Sequence, residues 1–229
     1  MAEITWGKAI EIVKSYVVKI DTPGVSGTGF LCAYTESKIV CGIATAAHVV
    51  NKSHIWEEPI RIQHFISGET KLLRASNRVI MLDLKLDTAV ILFAQGEIPF
   101  PKDTLTFLSE KKYLRAGNEI GWVGFPSVSP NNLCFFTGKI SCWLDDIRTY
   151  LVDGVAINGV SGGPVFFIRT NGIEVIGSVT AYLPNRAGAT PGLAMVSHAK
   201  QFQSVIKTIK DFDEAKKKEA LLKKLKKKD

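Results

Sequence analysis

The sequence predicts an all-β fold of two antiparallel strand groups, flanked by a short N-terminal helix and a C-terminal helix. Three observations predict it. Short segments rich in β-branched and aromatic residues, punctuated by Gly, Asn, Ser and Glu, recur along most of the chain. They fall into two groups of about six, parted by the polar, proline-bearing stretch AQGEIPFPKDTLTFLSEKK, which suggests two small barrels or sandwiches packed together. Finally, 229 residues at 46% hydrophobic can bury a full core, as one large all-β domain or two small ones.

Taken in order, Trp6, Ile10, Val13 and Val17 recur at three- to four-residue spacing and predict a short amphipathic helix. The period then changes to that of strands. GTGFLCAY, KIVCGIAT, PIRIQHFI, RVIML and TAVILF form the first group, over about 17–95. EIGWVGF, LCFFTGKISCW, TYLVDG, GPVFFI, IEVIGSVTAY and GLAMV form the second, over about 112–196. Ser197 is expected to cap a closing helix over 197–210, with Phe202, Val205, Ile206 and Ile209 on its apolar face. Residues 1–210 are expected to be one folded domain, with 211–229 a lysine-rich helical or disordered tail.

The formal charge of +7 is concentrated at the end of the chain. Residues 215–229 hold eight Lys against Glu219 and Asp229, a net +6, so the rest of the chain is at about +1. The body therefore has no electrostatic support for nucleic-acid binding. The tail alone could attach to an anionic partner such as nucleic acid, an acidic protein or a membrane surface. Cys32, Cys41, Cys134 and Cys142 sit singly on apolar stretches, with no CxxC pair, so no zinc site and no other metal or cofactor is expected. Glu3 and Glu11 interrupt what would have to be the apolar region of a signal peptide, and no apolar run is long enough to span a membrane. A cytoplasmic chain with reduced cysteines is the expectation.

NGVSGGPVF, residues 158–166, packs three glycines and a proline around Ser161 and then enters a strand-like run. A serine hydroxyl is a weak nucleophile until a base takes its proton, and the base needs a third group to fix its tautomer. His48 follows the small-residue strand CGIATAA, and Asp87 directly precedes the buried-strand pattern TAVILF. Alone, a His near a strand end is commonly structural, and an Asp before a strand is commonly a turn former. Together they give the order His, Asp, Ser at separations of 39 and 74 residues, with the first two in one strand group and the serine in the other. GVSGG also fits the G-x-S-x-G elbow of α/β-hydrolases, but that fold needs an acid and a His after the serine, and a helix directly after the turn. Only Glu174 lies between Ser161 and His198, and PVFFI reads as a strand.

At these residues the chain resembles the trypsin-fold (chymotrypsin-like) serine peptidases, and most closely the protease domain of the HtrA-like group. VVKI with SGTGFL resembles the opening strands, IATAAHVV the histidine segment and LDTAVILF the aspartate segment. GNEIGWVGFP resembles the strand that opens the second barrel, AINGVSGGPVF the serine segment, EVIGSVTA the strand that binds substrate backbone, and GLAMVSHAKQFQSVI the closing strand and helix. The resemblance implies two six-stranded antiparallel β-barrels with the active site in the cleft between them. It implies an endopeptidase of protein or peptide substrates, with His48 as general base, Asp87 its orienting partner and Ser161 the nucleophile. The N–H groups of Gly159 and Ser161 would form the oxyanion hole. The family places the base of the primary pocket six residues before the serine, here Val155, with Thr180 and Tyr182 along its wall, so cleavage after uncharged, aliphatic residues is expected.

The chain departs from the family at Val160, where Asp or Asn usually braces the oxyanion loop through its side chain. No IVGG-type N-terminus is present, so activation by cleavage in the manner of trypsin is not expected, and neither is a following domain that reads peptide C-termini. A catalytically silent trypsin-fold binding module and a binder acting through the lysine tail are the alternatives.

Overall fold

The computed structural model describes residues 4–170, 172–183 and 192–225. Helix α1 (Trp6–Val13) is capped by Thr5, whose hydroxyl accepts from the Lys8 N–H at 3.4 Å, and it buries Ala9 and Val13. Val17, expected on that helix, is instead the first residue of β1 (Val17–Asp21). The first sheet continues through β2 (Ser26–Tyr34), β3 (Val40–Thr45), β4 (Ile60–His64), β5 (Thr70–Leu73), β6 (Arg78–Asp83) and β7 (Thr88–Ala94), with helix α2 (Ala47–Ile55) inserted after β3. The second is built from β8 (Thr106–Phe107), β9 (Glu119–Gly124), β10 (Cys134–Leu144), β11 (Thr149–Asp153), β12 (Pro164–Arg169), β13 (Gly172–Tyr182) and β14 (Ala194–His198), and helix α3 (Lys200–Leu225) follows.

The fold is all-β, with two sheets and short flanking helices as expected, but the two sheets close differently. In the second, the order β12-β9-β10-β11-β14-β13 is closed by pairing of β12 with β13, giving a six-stranded barrel, and β8 adds to β13 in parallel outside it. The first has seven strands in the order β5-β4-β1-β2-β3-β7-β6 rather than six, and among the described residues no ladder joins its ends, so it is a curled half-barrel. The extra strand, β5, escapes a pattern search because it is four residues long and buries only Leu73.

Three apolar clusters result from strand alternation. Leu31 points into the half-barrel with Val18, Ile20, Ile43 and Ile91, whereas its neighbours Phe30 and Cys32 point the other way. In the second sheet Trp122 fills the barrel interior while Val123 faces out. The outward set from both sheets forms a third, shared cluster that α1 and α3 seal with Val13, Phe202, Val205 and Ile209. Phe30 and Phe202 meet edge-on there, with ring centroids 5.8 Å apart. Each large apolar side chain buried in this seam contributes about 1.5–3 kcal/mol, so the two sheets are fixed against one another and the cleft between them has a set width.

One helical detail differs from expectation. Ser197 does not cap α3: it lies in β14, and His198 Nδ1 accepts from the Lys200 N–H at 3.1 Å in that role. Helix α3 runs on past residue 210 into the tail as far as Leu225, docked on the β2–β3 turn, where Asp213 accepts from the Glu36 N–H at 2.7 Å and Lys217 pairs with Glu36 at 2.6 Å. Among the described residues no helix is long and apolar enough to cross a membrane.

Candidate active site

Strand β3 ends at Thr45 and the chain turns directly into α2, so His48 lies in the first turn of a helix rather than at a strand end. The two valines that follow it read as strand residues in isolation; packed against the half-barrel core, they are helical instead. Ala46 offers no side-chain cap. Asp87 supplies one from the β6–β7 connection: its carbonyl accepts from the Ala47 N–H at 3.1 Å and its Oδ1 from the His48 N–H at 2.8 Å. A carboxylate at a helix N-terminus is also favoured by the helix dipole.

The second carboxylate oxygen, Oδ2, is 2.7 Å from His48 Nδ1. A carboxylate only accepts, so Nδ1 carries the proton and the Nε2 lone pair is left available to act as a base. Asp87 is held in the left-handed region, at φ +50°, a conformation that Asp tolerates better than most residues. Its approach is fixed by three side chains. Asp83 accepts from the Leu86 N–H at 3.0 Å, Ser197 donates to the Leu86 carbonyl at 2.6 Å, and Gln201 of α3 holds the other Asp83 oxygen at 2.7 Å.

The serine loop comes from the other sheet. Gly159 and Gly162 have φ of +91° and +85°, and a Cβ on either would lie within 2.3 Å of a backbone oxygen, Phe125 O for the first and Thr28 O for the second. These glycines let the loop press against the β2 and β9 ends, so Ser161 lines the same cleft as His48 and Asp87, a space of about 280 Å³. No hydrogen bond joins the Ser161 hydroxyl to the His48 ring; such contacts tighten on substrate binding. Ala156, Ile157, Asn158, Val179, Thr180, Ala181 and Tyr182 complete the lining.

Thr180 and Tyr182 are therefore where the sequence placed them. Val155 is not: it is 43% exposed and lies outside the cleft lining, and the chain reaches the cleft one residue later, at Ala156. Asn158 was missed, since nothing in its local sequence marks it as cleft-facing. Val160 is buried in the second-barrel core.

His64 and His198 are occupied elsewhere. His64 bonds Ser67 and the Ser15 carbonyl, both at 2.9 Å, His198 bonds the Lys112 carbonyl at 3.0 Å, and burial pushes both rings to lower pKa. The cysteines are free; burial raises the Cys32 thiol and pushes Cys41 up to about 12, so neither is a thiolate nucleophile at neutral pH. Among the described residues, no three His, Cys, Asp or Glu side chains converge to hold a metal.

Residues 27–177, well over half of the chain, match the family described as the trypsin-like peptidase domain. The chain belongs to that family. As a trypsin-like peptidase domain it superposes on an inactive form of Rv3671c from M. tuberculosis H37Rv with a TM-score of 0.63, at 18% identity over 91% of this chain and 95% of that one. The serine endoprotease from Yersinia pestis gives 0.65 at 17% identity, over 91% of this chain and 68% of that one. Deg5 gives 0.63 at 17%, over 85% and 88%. At such identities the likeness establishes the fold. No curated protein sequence matches this trypsin-like domain significantly.

Proposed function

We propose that this trypsin-like domain is a serine endopeptidase acting through an acyl-enzyme. The observation that carries the reading is the 2.7 Å contact of His48 Nδ1 with Asp87 in the cleft that Ser161 lines. Ser161 Oγ attacks the peptide carbonyl carbon while His48 Nε2 takes the hydroxyl proton, and the Asp87 carboxylate stabilises the imidazolium that forms. The oxyanion is held by the N–H groups of Gly159 and Ser161. Collapse expels the amine, which takes its proton from His48; a water then attacks the ester with His48 as base again, releasing the acid and restoring Ser161.

Among the described residues Asp87 is the only acidic side chain lining the cleft, and His48 occupies it. The residue whose carbonyl is attacked is accordingly uncharged, and a peptide-library profile dominated by Lys or Arg at that position would refute this. The reaction itself is tested with a fluorophosphonate: the expected adduct maps to Ser161 and disappears in Ser161→Ala and His48→Ala. A folded wild-type chain that stays unlabelled while a control serine peptidase reacts would leave a silent trypsin-fold module in its place.

A further inference from the structure

The main chain of the loop from Asn158 to Gly162 makes six hydrogen bonds. The Asn158 carbonyl accepts from the Ser127 N–H at 2.7 Å, the Gly159 carbonyl from the Thr28 hydroxyl at 2.8 Å, the Val160 carbonyl from the Gly163 N–H at 2.9 Å and the Ser161 carbonyl from the Thr28 N–H at 2.8 Å. The Val160 N–H donates to the Ile157 carbonyl at 3.0 Å and the Gly162 N–H to the Val179 carbonyl at 2.7 Å. Among the described residues the N–H groups of Asn158, Gly159 and Ser161 donate to nothing, and the latter two flank the bonded carbonyls of Asn158 and Val160. In a trans peptide the carbonyl and the following N–H point in opposite directions, so a bonded Asn158 carbonyl aims the Gly159 N–H away from the 125–127 segment, and a bonded Val160 carbonyl does the same for Ser161.

Thr28 is common to this pattern. It lies in β2 of the first sheet, is fully buried, and binds two of the loop's four hydrogen-bonded carbonyls. Its hydroxyl donates to the Gly159 carbonyl and accepts from the Phe125 N–H at 3.0 Å, and its own carbonyl is held by the Thr45 hydroxyl at 2.7 Å. The Phe125 bond fixes the start of the segment whose Ser127 N–H holds Asn158. One hydroxyl thus ties together both stretches that set the direction of the Asn158–Gly159 peptide.

We propose that Thr28 is the positioning residue that keeps the Gly159 and Ser161 N–H groups aimed into the cleft, in place of the polar brace that the apolar side chain of Val160 cannot supply. Inversion of the Asn158–Gly159 peptide would break the Ser127 bond and turn a carbonyl toward the developing oxyanion. With the clamp formed inside the folded core, the donor pair is set without a newly released chain end or a ligand. The inference rests on the peptidase reading for its catalytic consequence, but the clamp itself can be measured without turnover.

The test compares Thr28→Val, which keeps the shape and removes the hydroxyl, with Thr28→Ser, which keeps the hydroxyl. Loss of one oxyanion donor costs roughly 10²–10³ in kcat, so Thr28→Val is expected to lose at least about tenfold in kcat with KM little changed, and to bind a peptide boronate correspondingly more weakly. Thr28→Ser is expected to remain close to wild type. Amide exchange gives the second readout: Phe125 and Ser127 are protected in wild type and Thr28→Ser and lose protection in Thr28→Val. Equal kcat and equal exchange in the two variants would overturn the proposal. So would an unprotected Ser127 amide in the unaltered protein, a measurement that stands even if Thr28→Val does not fold. A chain that resists fluorophosphonate yet shows this exchange pattern would retain the clamp and lose only the peptidase reading.

Discussion

Gly162 and Gly117 share nearly the same backbone conformation, with φ of +85° and +87°, and differ in what surrounds them. A Cβ on Gly117 would have nothing within 4 Å, whereas one on Gly162 would lie 2.1 Å from Thr28 O, 2.2 Å from Thr45 Oγ1 and 2.8 Å from Ala46 N. Gly117→Ala therefore isolates the cost of the left-handed conformation, about 1–2 kcal/mol, less a few tenths regained from the stiffer unfolded chain. Gly162→Ala adds an overlap that only separation of the serine loop from β2 can relieve. That separation breaks the Thr28 N–H to Ser161 carbonyl bond and the Thr28 hydroxyl to Gly159 carbonyl bond, each worth about 1–3 kcal/mol when buried groups are left unpaired. The expected difference between the two variants is about 2–6 kcal/mol. At about 2–4 °C per kcal/mol for a domain of this size, Gly162→Ala should melt roughly 4–24 °C below Gly117→Ala. Thermal melts of both variants, with fluorophosphonate labelling rates at 20 °C below each Tm, are the assay. Gly117→Ala is expected to label at the wild-type rate and Gly162→Ala far more slowly. Equal melting temperatures would refute the claim that close approach, rather than φ, is what demands glycine at 162.

Asp87→Asn keeps an acceptor for the His48 N–H and suits the positive φ, but its amide would face Nδ1 and drive the proton to Nε2; kcat should fall by about 10⁴ with the melting temperature little changed, and a loss under tenfold would refute the assignment. Because burial holds the folded pKa of His64 and His198 below the unfolded value, the unfolded state binds more protons; stability is complete above about pH 6.5 and declines as pH falls below it. Urea midpoints at pH 7.5 and 5.5 should show this decline, and it should be smaller in His64→Gln. Deleting 218–229 spares the Asp213 and Lys217 contacts with Glu36 and should leave peptidase activity intact while lowering retention on heparin at low salt; unchanged retention would remove the tail as an anionic-partner site.

The strands were legible because their signal is local: alternation and β-branched content mark β2, β3, β7, β9 and β12 from the residues alone. So were His48, Asp87 and Ser161 as candidates, since small residues before a His, an Asp before a buried strand and a glycine-flanked serine are local features. Helix α2 was not legible, because packing and a cap donated by Asp87, 39 residues away, override the strand preference of Val49 and Val50. Closure of one sheet and not the other, the position of Val155 outside the cleft lining, and the role of Ser197 as a bond to Leu86 rather than a helix cap were all decided by tertiary contacts. Thr28 shows the division most clearly. In sequence it is one more threonine between two glycines of a strand, and only when two sheets bring it against Gly159, 131 residues away, does its hydroxyl acquire partners that water would otherwise replace. Periodicity is written by neighbours in the chain, whereas buried hydrogen bonds are satisfied by neighbours in space, so the chain alone marked the elements and the candidate side chains while the folded core set their geometry.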